Sequence, residues 1–292
     1  MEILIQIVLT GLTLGAMYAL ASVGLALIWG TLGMFNMAQN MFITVGAYGA
    51  YSAIGVLGLP IWMGLPAGLV VGALVGVLTH LLIVRQMLGR SNFEMNIMVA
   101  TAGVGIVLEN LVLQAYGGYP YRQPVNITGS FKLGGVAISY QPLMIIFIAT
   151  LLIAVTAWLL LKTKFGRTIR ATAMNIDAAR LMGVQTERTY LQVMAIAGAL
   201  AGAAGVLISS LSSLSPQMGS DPLVKAFVIC VVAGLGNVAG TGLTAVVLGL
   251  FEATIQFYFG VRYGFPMMLG LVILVLIWRP NGLFGRKSVV RL

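Results

Sequence analysis

The most distinctive stretch of the sequence is Lys162–Leu191, KTKFGRTIRATAMNIDAARLMGVQTERTYL. Asn175 has the side chain that caps the start of a helix, and Gly183 the backbone freedom that ends one. Between them, Asp177, Ala178, Ala179 and Arg180 form a short, alanine-bearing helix. A connection within a bundle needs only a few residues, so the surplus length and the internal helix point to docking of a soluble partner. A second chemistry belongs to acids in apolar runs, Glu94, Glu109 and Glu252. Such carboxylates serve ion coupling in a membrane interior, or reach the interface from a helix end. A third set is uncharged. Asn36, Gln39 and Asn40 stand at one break and Gly234, Gly236 and Asn237 at another, where amides cap helix ends or meet a polar solute. His80 reads as an interfacial residue beside Arg85, and the single cysteine, Cys230, allows no intramolecular disulfide. One histidine and scattered acids make no catalytic or metal-binding cluster.

The elements that must position these groups are set by composition. The chain is 60% apolar and 8% charged, whereas soluble domains carry about 25% charged residues. Between Glu2 and Arg85 no Asp, Glu, Lys or Arg occurs. A soluble enzyme, a disordered chain and a nucleic-acid binder are excluded, and so is a porin-type barrel, which alternates with period two. The fold class is all-α, a polytopic helical membrane protein forming a single transmembrane domain over residues 1–292. Spans are predicted near 4–29, 40–58, 61–84, 94–115, 141–161, 189–212 and 263–278, about the 20 residues a bilayer core demands. Residues 226–259 are too long for one crossing. Gly234, Gly236, Gly240 and Gly242 interrupt them around Asn237, predicting a broken or re-entrant pair. About eight to ten transmembrane segments follow. Gly64, Gly68, Gly72 and Gly76 lie four apart on one helix face, as do Gly11 with Gly15 and Gly198 with Gly202, which predicts close helix packing.

Basic residues orient the chain. Lys162, Lys164, Arg167, Arg170, Arg180 and Arg188 face only Asp177 and Glu187 in loop 162–188. Arg279, Arg286, Lys287 and Arg291 crowd the tail, and Arg85 and Arg90 one turn. Basic loops are cytoplasmic, so loop 162–188 and the C-terminus are expected inside and Met1 outside.

The pattern D-A-A-x-x-x-G at Asp177–Gly183 resembles the EAA loop of bacterial ABC-importer permeases, with Asp in place of the usual Glu. The wider string F-G-R-T-I-R-A-T-A-x-N-x-x-A-A-R-L-M-G-V (165–184) resembles the branched-chain amino acid permeases, the LivH-like group. So do G-L-T-L-G-A-M-Y-A-L (11–20), G-x-L-G-M-F-N-M-A (30–38), G-A-Y (46–48), A-G-x-x-G-V-L (201–207), A-G-L-G-N-V-A-G-T (233–241) and W-R-P-N-G-L-F-G (278–285). These blocks follow the family's order over nearly the whole chain.

The resemblance implies the membrane subunit of an ATP-driven importer in a bacterial inner membrane. Its solute would be a branched-chain or related hydrophobic amino acid, with urea, amides and small organic acids as alternatives. A periplasmic binding protein would deliver it to the outer loops 116–140 and 213–224. Asp177, Ala178, Ala179, Arg180 and Gly183 would be the coupling positions, docked in clefts of two ATP-binding cassette subunits. A second permease, homologous or identical, would complete the membrane part, with membrane lipid around both. The path would be lined by Asn36, Gln39, Asn40, Gly234, Gly236 and Asn237. This chain would bind no cofactor. ATP and Mg would belong to the partner ATPases, since no G-x-x-x-x-G-K-[ST] occurs in the sequence. Gln39-Asn40-Met41 replaces the family's frequent His-Gly-Glu, which leaves the path less charged. The competing expectation is an ion-coupled secondary transporter or channel for a small polar solute, using Glu109 or Glu252.

Overall fold

Apolar runs become helices because hydrocarbon offers the backbone no hydrogen-bond partner of its own. The computed structural model describes residues 2–89, 92–127, 129–133 and 136–285. Arg90, Arg286, Lys287 and Arg291, used above for orientation, lie outside them. Helix α1 is Glu2–Leu32 and α2 Gln39–Gly55. After a 3-10 turn, α3 (Gly64–Thr79) runs through a π-helical turn (His80–Val84) into α4 (Arg85–Met87). Helix α5 is Phe93–Tyr116. A two-stranded antiparallel ribbon follows, β1 (Ser130–Leu133) with β2 (Val136–Ser139), Ser130 opposite Ser139. Then come α6 (Tyr140–Lys162), α7 (Lys164–Met174), α8 (Ile176–Leu181), α9 (Thr186–Leu211), α10 (Ser220–Ala233), α11 (Val238–Phe259) and α12 (Val261–Trp278).

Among the described residues seven helices are long and apolar enough to cross a membrane: α1, Ile61–Met87, α5, α6, α9, α11 and α12. The expected eight to ten segments are reached only by adding α2, of 17 residues, and α10, of 14. Two expectations are corrected. The second span is not a full crossing, because its helix starts at Gln39 and stops at Gly55. The broken pair is unequal, since α11 is a full-length helix while α10 is short and begins within the stretch read as outer loop 213–224. His80 is corrected too, being buried inside its π turn and not interfacial.

Helices α1 and α9 form the core. Residues 15–28 of α1 are buried on every side, the mark of a helix apolar all round. Helix α5 buries only a stripe, Ile97, Thr101, Gly105 and Val112, and turns Val99, Ile106 and Val107 outward. The four-spaced glycines do what their spacing predicts. On α3, Gly68 and Gly72 meet the backbone of Gly198 and Gly202 on α9, while Gly46 of α2 meets Gly202 from another side. Gly11 and Gly15 likewise admit the backbone of α11 at Val246, Gly249 and Leu250. A Cβ on any of these glycines would collide with a neighbouring helix. Lipid tails supply no hydrophobic drive between helices, so such backbone proximity is the main source of cohesion.

Candidate functional site

Two short helices build the centre of the protein. After α1 the chain turns at Gly33 (φ +65°) and re-enters the bundle as coil 33–38, so that Gln39 lies beside Gly24 of α1 and Ala197, near the middle of α9. Helix α2 therefore starts at mid-depth and runs toward the end of the bundle where α9 finishes. The segment after α9 mirrors this. Leu214 and Tyr121 exchange backbone hydrogen bonds of 2.8 and 2.9 Å. The chain then dips to Gly219, whose amide donates to Thr44 Oγ1 at 3.2 Å and whose Cα lies against the Asn40 carbonyl. Helix α10 runs from there to the opposite end, where Gly236 meets Gly30. At about 1.5 Å per residue α2 and α10 are about 25 and 21 Å long, each about half of the 40–45 Å between headgroup surfaces. Their N-termini meet in the middle, and the positive ends of two helix dipoles converge there.

The predicted amides divide at this junction. Asn36 Oδ1 accepts from Ala38 N–H at 3.1 Å, Asn36 Nδ2 donates to Gln39 Oε1 at 3.4 Å, and Gln39 Nε2 donates to Ala197 O at 3.5 Å. Both side chains are buried and hold the coil in place. Asn40 alone is partly exposed, beside Gly105 and Gly219. The polar groups on the same face are Glu109, singled out above, and Gln217, Ser220 and Asp221, which were not anticipated. Gln217 Nε2 donates to Glu109 Oε1 at 2.9 Å, Ser220 is exposed, and the Asp221 side chain is 66% exposed. A carboxylate exposed to hydrocarbon is costly, so this polar face borders water or another protein. Gly234, Gly236 and Asn237 are not part of it. They lie the length of α10 away, where Asn237 Oδ1 caps α11 by accepting from Gly240 N–H at 3.0 Å and Asn237 Nδ2 donates to Phe284 O at 3.0 Å.

The same end carries the loop with the alanine helix. Thr163 caps α7 by accepting from Gly166 N–H at 3.2 Å, and Asn175 caps α8 by accepting from Ala178 N–H at 2.9 Å. Gly183 (φ +82°) stops α8, and Val184 N–H returns to Ala179 O at 3.0 Å. Ala179 is buried against the protein, Arg180 Nε donates to Thr186 Oγ1 at 3.2 Å, and Asp177 and Ala178 face outward. Beside Asp177 and Arg180, which are also exposed, the unit leaves large apolar side chains bare. Leu181 is 89% exposed, and Met174 and Met182 are each 84% exposed. These three were not anticipated either; their signal in the sequence is that they stand at the two ends of the one short helix expected between Asn175 and Gly183, in an otherwise charged loop.

The family model described as "Branched-chain amino acid transport system / permease component" matches residues 7–277. The chain belongs to this permease family. It is 29% identical to the high-affinity branched-chain amino acid transport system permease protein BraD of Pseudomonas aeruginosa, over 98% of this chain and 97% of that one. It is 27% identical to the corresponding protein LivH of Escherichia coli, over 98% and 96%. The autoinducer 2 import system permease protein LsrC of an Enterobacter species is 29% identical over 83% and 69%.

In this permease one expected acid proves to be paired. Glu252 of α11, 1% exposed, accepts from Lys225 Nζ of α10 at 2.9 Å and from Gln256 Nε2 at 3.0 Å. Lys225 also donates to Tyr18 OH at 2.8 Å and lies 3.2 Å from Asp221 Oδ2. One cation thus clamps α10 to α1 and α11 in the membrane interior. Glu94 sits in the first turn of α5, near the helix end as expected.

Proposed function

We propose that this permease is the membrane subunit of an ATP-driven importer for branched-chain or related hydrophobic amino acids, in a bacterial inner membrane. The observation that carries the reading is the braced α7–α8 unit, which holds Leu181 and Met182 out in a charged loop. A bare apolar tip on a capped, tethered helix suits insertion into a cleft of a partner. Two ATP-binding cassette subunits, which bind ATP and Mg, grip this unit in each of two permeases, the second homologous or identical. Their closure pushes through Arg180 and Thr186 into α9, which packs on α2 and α3. Loop 162–188 and the C-terminus then face the cytoplasm. A periplasmic binding protein docks over residues 116–140 and the stretch after α9.

The solute's carboxylate is favoured where the N-termini of α2 and α10 converge beside Asn40, while the apolar side chain finds the flanking helices. Urea, amides and small organic acids share part of that chemistry, and the autoinducer 2 permease is a relative named for a different solute. The ion-coupled alternative is weakened because Glu252 is already neutralised by Lys225 and Glu109 is occupied by Gln217.

Proteoliposomes test the assignment. Complete complexes are expected to accumulate leucine only with ATP and binding protein, and vesicles holding this chain alone to accumulate none. Gradient-driven uptake by the chain alone would overturn it. Two substitutions test the coupling unit. Gly183→Leu forces a left-handed conformation that costs about 1–2 kcal/mol, and Leu181→Asp places a charge on the docking tip. Both are expected to cut ATP-dependent uptake at least ten-fold while the chain still inserts and keeps its melting temperature within a few degrees. Uptake at the wild-type rate in both would count against docking here.

A further inference from the structure

We infer that the cavity beneath α7 is a binding site for an anionic phospholipid. The cavity measures ≈ 600 Å³ and is walled by the end of α1, the end of α6, α7, the turn before α11 and residues 284–285. Volumes of about 300–1,000 Å³ suit whole ligands. Its position marks the ligand as a lipid. Trp158 on α6 and Trp278 at the end of α12 are exposed near the ends of their spans, as aromatic residues at a membrane–water boundary are. Leu161, Leu235 and Phe284 line the cavity and are also exposed, so its wall continues into the apolar flank of the bundle. A free anion has no use for such a wall, and an acyl chain does.

The headgroup chemistry comes from Arg170. Its guanidinium donates one N–H to the Leu160 carbonyl, at the end of α6. That bond anchors the head against the cavity and leaves four donors for a phosphate. Arg167 and Lys164 stand about one and two turns earlier on the exposed face of α7, and the helix has no acid. An amphipathic, cation-rich helix over an apolar cavity with one arginine in its wall is an arrangement that recruits anionic lipid. The lipid would bridge α7 to the ends of α1 and α6, and so tie the coupling unit to the bilayer. The site needs no assumption about the solute or about which side of the membrane it faces, so it stands or falls apart from the importer reading.

Phosphatidylglycerol, phosphatidylcholine and inorganic phosphate are the probes, with the full chain in detergent and native mass spectrometry counting bound lipid. The wild type is expected to retain one phosphatidylglycerol in preference to phosphatidylcholine. Arg170→Gln is expected to weaken retention about five-fold. Ala173→Trp, which fills the cavity from an exposed position, is expected to abolish it at unchanged melting temperature. Arg188→Gln, which removes a basic residue outside the cavity, should change nothing. Equal weakening by Arg170→Gln and Arg188→Gln would mean diffuse charge attraction and overturn the proposal. Equal retention of the two lipids would overturn it as well, as would displacement by millimolar inorganic phosphate. Loss of the lipid on adding the ATPase subunits would assign the cavity to protein contact, with the same consequence.

Discussion

Gly202→Leu is expected to leave almost no folded permease, whereas Gly103→Leu is expected to be tolerated. Gly202 is where three helices come together. A Cβ there collides with the Gly68 carbonyl of α3, and Gly46 of α2 reaches the Gly202 Cα from another direction. Overpacking one well-filled site costs about 1–3 kcal/mol. The atoms a Cβ at Gly202 meets belong to the backbone of Gly68 and Gly72, so no rotamer change relieves the clash and α3 must retreat. Retreat forfeits the dispersion contacts that hold membrane helices together, and lipid replaces none of them with a driving force. Gly103 lies on the outward face of α5, and a methyl group there would have no neighbouring atom within 4 Å. Size-exclusion profiles and thermal melts in one detergent compare the two. A monodisperse Gly202→Leu protein with wild-type melting would refute the account of cohesion.

That ladder was legible because a spacing of four places every member on one helix face, and the consequence is local to that face. The caps of the coupling unit were legible for a similar reason. Asn175 and Gly183 act on backbone atoms within three or four residues, and α8 begins and ends where they stand. Depth was not legible. The run 40–58 has the composition of a span, and composition does not reveal that coil 33–38 has already carried the chain halfway across. Ser220-Asp221-Pro222 reads as a loop end and is in fact a helix start, since proline is accepted in a first turn. What the local sequence lacks is the contact of Gly219 with Asn40 and Thr44, some 175 residues earlier. Gly234, Gly236 and Asn237 share the look of a polar break with Asn36–Asn40, yet their neighbours are Gly30 and the tail. A break shows that the backbone must find partners; which partners is decided by tertiary distance. Lys225 shows the same limit, because Glu252 and Tyr18 lie far from it in sequence.

Lys225→Met is expected to destabilise the permease more than Glu252→Gln, and the double substitution Lys225→Met with Glu252→Met is expected to recover most of the loss. Removing one partner of a buried ion pair costs about 3–5 kcal/mol, because the survivor keeps its desolvation penalty without its counter-charge. The two single losses differ in what survives. Without Lys225, Glu252 is a buried carboxylate without its counter-charge, and Tyr18 OH loses its ammonium donor. Without the Glu252 charge, Lys225 still has Asp221 at 3.2 Å and Tyr18 OH at 2.8 Å, so the cost falls at the lower end of that range. Exchanging both ions for well-packed apolar side chains is often neutral, and Asp221 is exposed enough to remain solvated without Lys225. Melting temperatures rank the four proteins, and a double variant that melts well above Lys225→Met is the result that marks the two side chains as coupled. Uptake by the double variant then separates two roles. A clamp between α10 and its neighbours is replaceable by apolar packing, so transport persists. A charge that must move or meet solute is not, and a folded but inactive double variant would place the pair in the transport cycle itself.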